Sequence, residues 1–205
     1  MTSPTRFSTS GSTSRARVAK VTGVVVYDLE YTTWEGARER RWSGPGEHRE
    51  VVQVGAVRLD DGAELSLLVK PRLNPGLSTY FTDLTGITQD QVDRAGMDFP
   101  EALCRLADFA AGADLGSNGA DEGVLRENCA LTGCAFPFDG RCRDLAPLLI
   151  TAAGAQAHIY SCEMAATFGL NADQRAHDAL GDARQVAQVL RHLLKTGRVR
   201  PSDLL

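Results

Sequence analysis

The chain has 205 residues, 43% hydrophobic and 23% charged, with a formal net charge of −4. That length and balance suit one packed domain of ordinary size, and the absence of any apolar run of about 18 residues argues against a transmembrane helix. The acidic balance argues against a domain that grips duplex DNA by bulk electrostatics, because Arg6, Arg15, Arg17 and Lys20 precede the folded part and leave it 18 basic residues against 26 acidic ones.

Residues 1–19 are rich in Ser, Thr, Gly and Arg and read as a disordered basic arm. They lack the apolar core of a secretory signal, so the chain is read as cytoplasmic, with no membrane partner. The five cysteines, at 104, 129, 134, 142 and 162, are odd in number and never two residues apart, and read as buried free thiols, not as a zinc ribbon or a disulfide framework.

Gly23 to Glu30 is the first strong element. Three consecutive valines favour a strand, and their unbroken run places it centrally, buried on both faces. Asp28 and Glu30 stand two apart, so in extended backbone their carboxylates share one side. A divalent cation would relieve their repulsion; the plainer alternative is an exposed, acidic strand end.

Tyr31 to Glu50 is polar, broken by Gly44-Pro45-Gly46, and reads as a loop over the acidic pair. Its Trp34 and Trp42 could stack on bases and its arginines could meet phosphates, or all could serve loop packing. Val51 to Leu59 and Glu64 to Val69 read as a second strand and an antiparallel third, joined by the Asp61-Gly62 turn. Thr88 with Gln91 forms a capping-box pattern. Phe99 to Ala110 has helical apolar spacing with Pro100 in its first turn.

A brief strand near Ala113 to Ser117 precedes Asp121, which opens a helix stopped by Gly133; by itself Asp121 reads as an N-cap ahead of a ligand. Leu145 to Phe168 is helix-rich, Asp144 reads as a cap or turn residue, and His158 as structural. The last long helix begins near His177 to Asp182 and carries the apolar stripe Val186, Val189, Leu190, Leu193 and Leu194.

In this order the residues resemble the DEDDh group of 3′→5′ exonucleases. Asp28-Leu29-Glu30 lies on the first strand, Asp121 at a strand-to-helix junction, and His177 with Asp182 at the start of the last helix. Gln53 to Val57 and Leu84 to Thr88 look like segments that members carry in those places. The resemblance implies an α/β, ribonuclease-H-like fold, a mixed five-stranded sheet flanked by helices, over residues 20–196, with 197–205 as a C-terminal tail. It implies that Asp28, Glu30, Asp121 and Asp182 hold two Mg²⁺ or Mn²⁺ ions, that His177 is the general base, and that Tyr31, Thr32 and Thr33 contact the terminal nucleotide.

Members often carry an aromatic residue before the second-motif aspartate, where this chain has Ala120; Glu122 is therefore the alternative ligand. The Trp34 to Glu50 stretch is longer than the pattern expects. The implied reaction releases nucleoside 5′-monophosphates from single-stranded 3′ ends or short oligonucleotides, with pairing to a second copy left open. Alternatives are hydrolysis of a small nucleotide or dinucleotide, and a catalytically idle nucleic-acid-binding or regulatory module. A haloacid dehalogenase phosphatase is disfavoured, since it needs an aspartate where Glu30 stands.

Overall fold

The computed structural model describes residues 23–171 and 177–204, so the expected basic arm over 1–19 lies outside the described residues. Five strands form one sheet: β1 (Val24–Tyr31), β2 (Val51–Arg58), β3 (Glu64–Leu68), β4 (Asp114–Ser117) and β5 (Cys142–Asp144), in the order β3-β2-β1-β4-β5. Strands β1, β2 and β3 pair antiparallel, whereas β4 and β5 continue the sheet parallel to β1. The sheet is therefore mixed, and the valine run forms its middle strand.

Helices α1 (Thr79–Thr85), α2 (Gln89–Ala95), α3 (Phe99–Ala110), α4 (Asp121–Thr132), α5 (Ala146–Ala153), α6 (Ser161–Thr167) and α7 (Ala179–Lys195) surround it. The period of two along β1 sorts the core into two layers. Val25, Tyr27 and Leu29 pack with Leu103 and Leu106 of α3 and Val124 and Leu125 of α4. Val24 and Val26 point the other way, toward Leu149 of α5 and Val186, Leu190 and Leu193 of α7. By the same parity Asp28 and Glu30 lie on the α7 side.

Local signals hold where expected. Thr88 and Gln91 form a reciprocal capping box at α2, Pro100 sits in the first turn of α3, and Gly133 ends α4 in the left-handed conformation. Other positions differ. Asp121 is not the N-cap of α4: that place belongs to Ala120, and no side chain caps the helix. Among the cysteines, all free, only Cys129 is buried, and Cys104 is exposed on the outer face of α3.

His158 is exposed, its ring edge-on to Tyr160. Asp144 ends β5 and also accepts the Ala146 backbone N–H at 2.9 Å, so it is both strand end and turn residue. The segment expected as a C-terminal tail packs onto the domain: Val199 and the short 3₁₀ turn Pro201–Leu204 bring Val199 and Leu204, 3% and 1% exposed, into the α7 layer. Among the described residues no helix is long and apolar enough to cross a membrane.

Candidate active site

The acidic end of β1 meets the first turns of α7 because two residues of β2 let the helix come close. Gly55 pairs with Asp28 across the strands, and a Cβ at Gly55 would lie 2.1 Å from the Leu180 backbone nitrogen and 2.2 Å from the Ala179 carbonyl carbon. Only a residue without a side chain permits that approach. Gln53, the cross-strand partner of Glu30, accepts the Ala179 N–H at 3.0 Å and donates to the Asp178 carboxylate at 2.9 Å. Asp178 in turn caps the helix by accepting the Gly181 N–H at 3.0 Å. The start of α7 is thus pinned to the sheet by a glycine, an amide and a cap.

His177 precedes this cap with φ 59°, a left-handed conformation uncommon for a residue with a side chain. The turn delivers it to the same place as Asp182: Glu30, His177 and Asp182 each present a ligand atom within 4.8 Å of one another. Asp28 and Asp121 stand outside that tight group but within reach of its charge. Burial, followed by the charges of Asp121, Glu30, Asp182 and Asp178, raises the Asp28 carboxyl well above its usual range.

The neighbouring carboxyls respond in the same direction. Burial and then Asp182, Asp121 and Asp178 push Glu30 up to about 8. Asp121 is raised to about 7, chiefly by burial and Asp144, with Arg49 opposing. Asp182 rises to about 6 by burial, against the pull of the His177 backbone N–H. The His177 imidazole is lowered from its usual value by burial.

This is an anion cluster short of positive charge. Among the described residues the buried Oδ1 of Asp182 has no hydrogen-bond partner, an arrangement that costs free energy unless something binds there. A hard divalent cation fits both facts, since carboxylate oxygens are its natural donors and its charge would restore the ionised carboxylates, leaving the His177 imidazole free for proton transfer. Glu122, the alternative second-motif residue, is engaged elsewhere: it pairs with Arg126 at 2.8 Å, and Arg126 also holds Asp139.

The residues after β1 carry tasks that sequence reasoning missed. Thr32 is buried; its hydroxyl donates to the His48 carbonyl at 2.5 Å and accepts the Glu50 N–H at 2.9 Å, so it ties the two ends of loop 33–49 together. Tyr31 is half-buried and packs edge-on against Trp42, whose ring also meets the Arg49 guanidinium. Trp42 therefore serves loop packing. The Thr33 carbonyl accepts the Ser78 hydroxyl at the start of α1. Glu50 is 3% exposed, and its carboxylate accepts the backbone N–H groups of Arg72, Leu73 and Asn74 at 2.6–2.8 Å. An acid just before a valine-rich strand was the available signal for it.

Residues 25–190 match the RNase T exonuclease family model. ERI1 exoribonuclease 2 of Danio rerio is 40% identical over 95 residues, covering 43% of this chain and 16% of that protein. The 3′-5′ exoribonuclease 1 of Rattus norvegicus is 25% identical over 198 residues, covering 85% of this chain and 53% of its own length. The chain thus spans about half or less of these curated relatives. In structure it resembles the nuclease domain of 3′hExo, a DEDDh family member solved with rAMP, at a TM-score of 0.70 and 24% identity, over 85% of this chain and 92% of that one. The mixed sheet, the helix carrying Asp182 and the family match over most of the chain lead to one conclusion: this protein belongs to the exonuclease family.

Proposed function

We propose that the chain is a 3′→5′ exonuclease that removes nucleoside 5′-monophosphates from single-stranded ends, RNA above all, since the relatives it matches are named as exoribonucleases. The observation that carries this reading is the convergence of Glu30, His177 and Asp182 within 4.8 Å, with the buried Asp28 beside them close enough to Asp121 and Glu30 to be raised by their charge.

In this reading Asp28, Glu30, Asp121 and Asp182 hold two ions, Mg²⁺ or Mn²⁺. Such ions, when bound, supply Lewis acidity to the attacking water and to the leaving 3′-oxygen. His177 takes the proton of that water on a ring nitrogen. Its lowered pKa keeps the imidazole neutral and ready to accept at neutral pH. Tyr31 and Thr33 line the approach to the terminal nucleotide, and Thr32 supports them by holding the loop.

The test is a panel of end-labelled single-stranded RNA and DNA of several lengths, together with free nucleotides, each incubated with Mg²⁺, Mn²⁺ or EDTA. Stepwise, metal-dependent shortening from the 3′ end with 5′-mononucleotide product is expected. No metal-dependent product on any strand refutes the exonuclease reading, and cleavage of the free nucleotides alone reassigns the substrate.

A further inference from the structure

The loop 33–49 is internally built. Arg40 forms a forked pair with Glu47, Arg49 reaches Glu127 on α4, and Thr32 closes its base. From this scaffold Arg38 projects to Tyr160, 122 residues away: its guanidinium lies 5.4 Å from the ring centroid and donates to the hydroxyl at 3.4 Å. Tyr160 is 46% exposed, a large aromatic left in solvent, and His158 stands edge-on against it.

The position of Tyr160 relative to the acidic cluster follows from the neighbouring bonds. Asn118, three residues before Asp121, donates to the Ile159 carbonyl at 2.9 Å and to the Ser161 hydroxyl at 3.2 Å. Cys162 is near enough to Asp182 to feel its charge. Residues 159–162 therefore form the rim of the site on the β4 and α7 side, while loop 33–49 leaves from the end of β1, the strand beside β4. The Arg38–Tyr160 contact joins the two rims. A closed circuit results, running from β1 through the loop to Arg38, across to Tyr160, through Ser161 to Asn118 and back by β4 to β1, with Asp28, Glu30 and Asp121 at its base.

We infer that Arg38 and Tyr160 form a specificity gate that admits single-stranded 3′ ends and rejects paired ones. The substrate class rests on the exonuclease reading; the gate itself rests on the circuit. In this reading one strand passes beneath the bridge of two side chains, whereas a duplex end brings a second strand that would require the bridge to part. The chemistry also suits a single strand, for an arginine serves a backbone phosphate and an exposed tyrosine ring serves an unstacked base.

The experiment compares a single strand with the same sequence as a blunt duplex and as duplexes with 3′ overhangs of graded length. Wild-type protein should favour the single strand and stall at the paired junction. Arg38→Ala and Tyr160→Ala should raise the duplex-to-single-strand ratio of kcat/KM by about fivefold, and Tyr160→Phe, which keeps the ring, should stay near wild type. The corresponding ratio of affinities is read without turnover by fluorescence anisotropy of labelled strands in Ca²⁺. Wild-type cleavage of the single strand judges the exonuclease reading; the ratios judge the gate, in binding even if no strand is cleaved. Unchanged ratios in both alanine variants, or equal changes in Tyr160→Phe and Tyr160→Ala, would overturn the gate.

Discussion

Glu30 and Glu50 stand at the two ends of one loop, both buried, at 9% and 3% exposure. Glu50 is surrounded by donors: three backbone N–H groups of residues 72–74 converge on its carboxylate. Glu30 is surrounded by acids, with Asp182, Asp121 and Asp178 all raising its carboxyl. Burial alone therefore does not separate structural from functional carboxylates. What separates them is whether the fold itself supplies the compensating positive ends, as it does for Glu50, or surrounds the carboxyl with further acids, as at Glu30, where the proposed function places an ion.

The largest effect should come from breaking the acidic side of this contrast. Loss of an outer partner of a metal ligand costs about 10–100-fold, so Glu30→Gln should lower exonuclease turnover by at least about a hundredfold. Its fold should be undamaged and, without metal at pH 8, as stable as wild type or more so, because one buried repulsion is gone. Turnover and thermal melts of the same preparation check both halves; a melt well below wild type would mean that Glu30 is structural after all.

Glu50→Gln should do the reverse. An amide cannot accept all three N–H groups with the strength of a carboxylate, so stability should fall by about 1–3 kcal/mol, read by urea unfolding, with substantial turnover retained at low temperature. Loss of turnover as complete as that of Glu30→Gln, in a protein still folded, would erase the distinction.

The smallest effect is a pH dependence of the metal-free protein. Carboxyls whose pKa is raised by folding bind protons more tightly folded than unfolded, so the stability they contribute is present below the ordinary carboxyl range and is lost as pH rises through the folded values. Asp182, Asp121 and Glu30, at about 6, 7 and 8, set that window. His177, lowered from 6.5, acts oppositely as pH falls, so the clean interval lies above 6.5. Between pH 6.5 and 8.5 the melting temperature in EDTA should drop by about 5 °C, and Mn²⁺ should restore it. A melt that is flat in EDTA across this interval would show that the acidic cluster is not under strain.

Much of this was legible in the chain. The valine run announced the central strand, and the spacing of Asp28 and Glu30 announced a shared face, because strand geometry is local. The capping box at Thr88 and the stop at Gly133 are equally local. Strand β5 was not legible from its own residues: Cys-Arg-Asp at a sheet edge has neither length nor alternation, and only pairing with β4 makes it a strand. The buried fit of Gly55 under α7, the three donors on Glu50 and the Thr32 tie are contacts between distant segments, and no window of sequence contains both partners. Asp121 reads in sequence as a cap at the helix start, and only the folded chain gives that place to Ala120.

At Gly55 the helix bearing Asp182 meets the strand beside Asp28 main chain to main chain. The spacing between those two acidic surfaces is consequently set by peptide geometry and by no side chain's size. The loop carrying Arg38 is instead held by surface pairs. Under the proposed function an inelastic acidic centre is thus joined to an adjustable entrance, so editing one loop would change the ends accepted while the centre stays where it is.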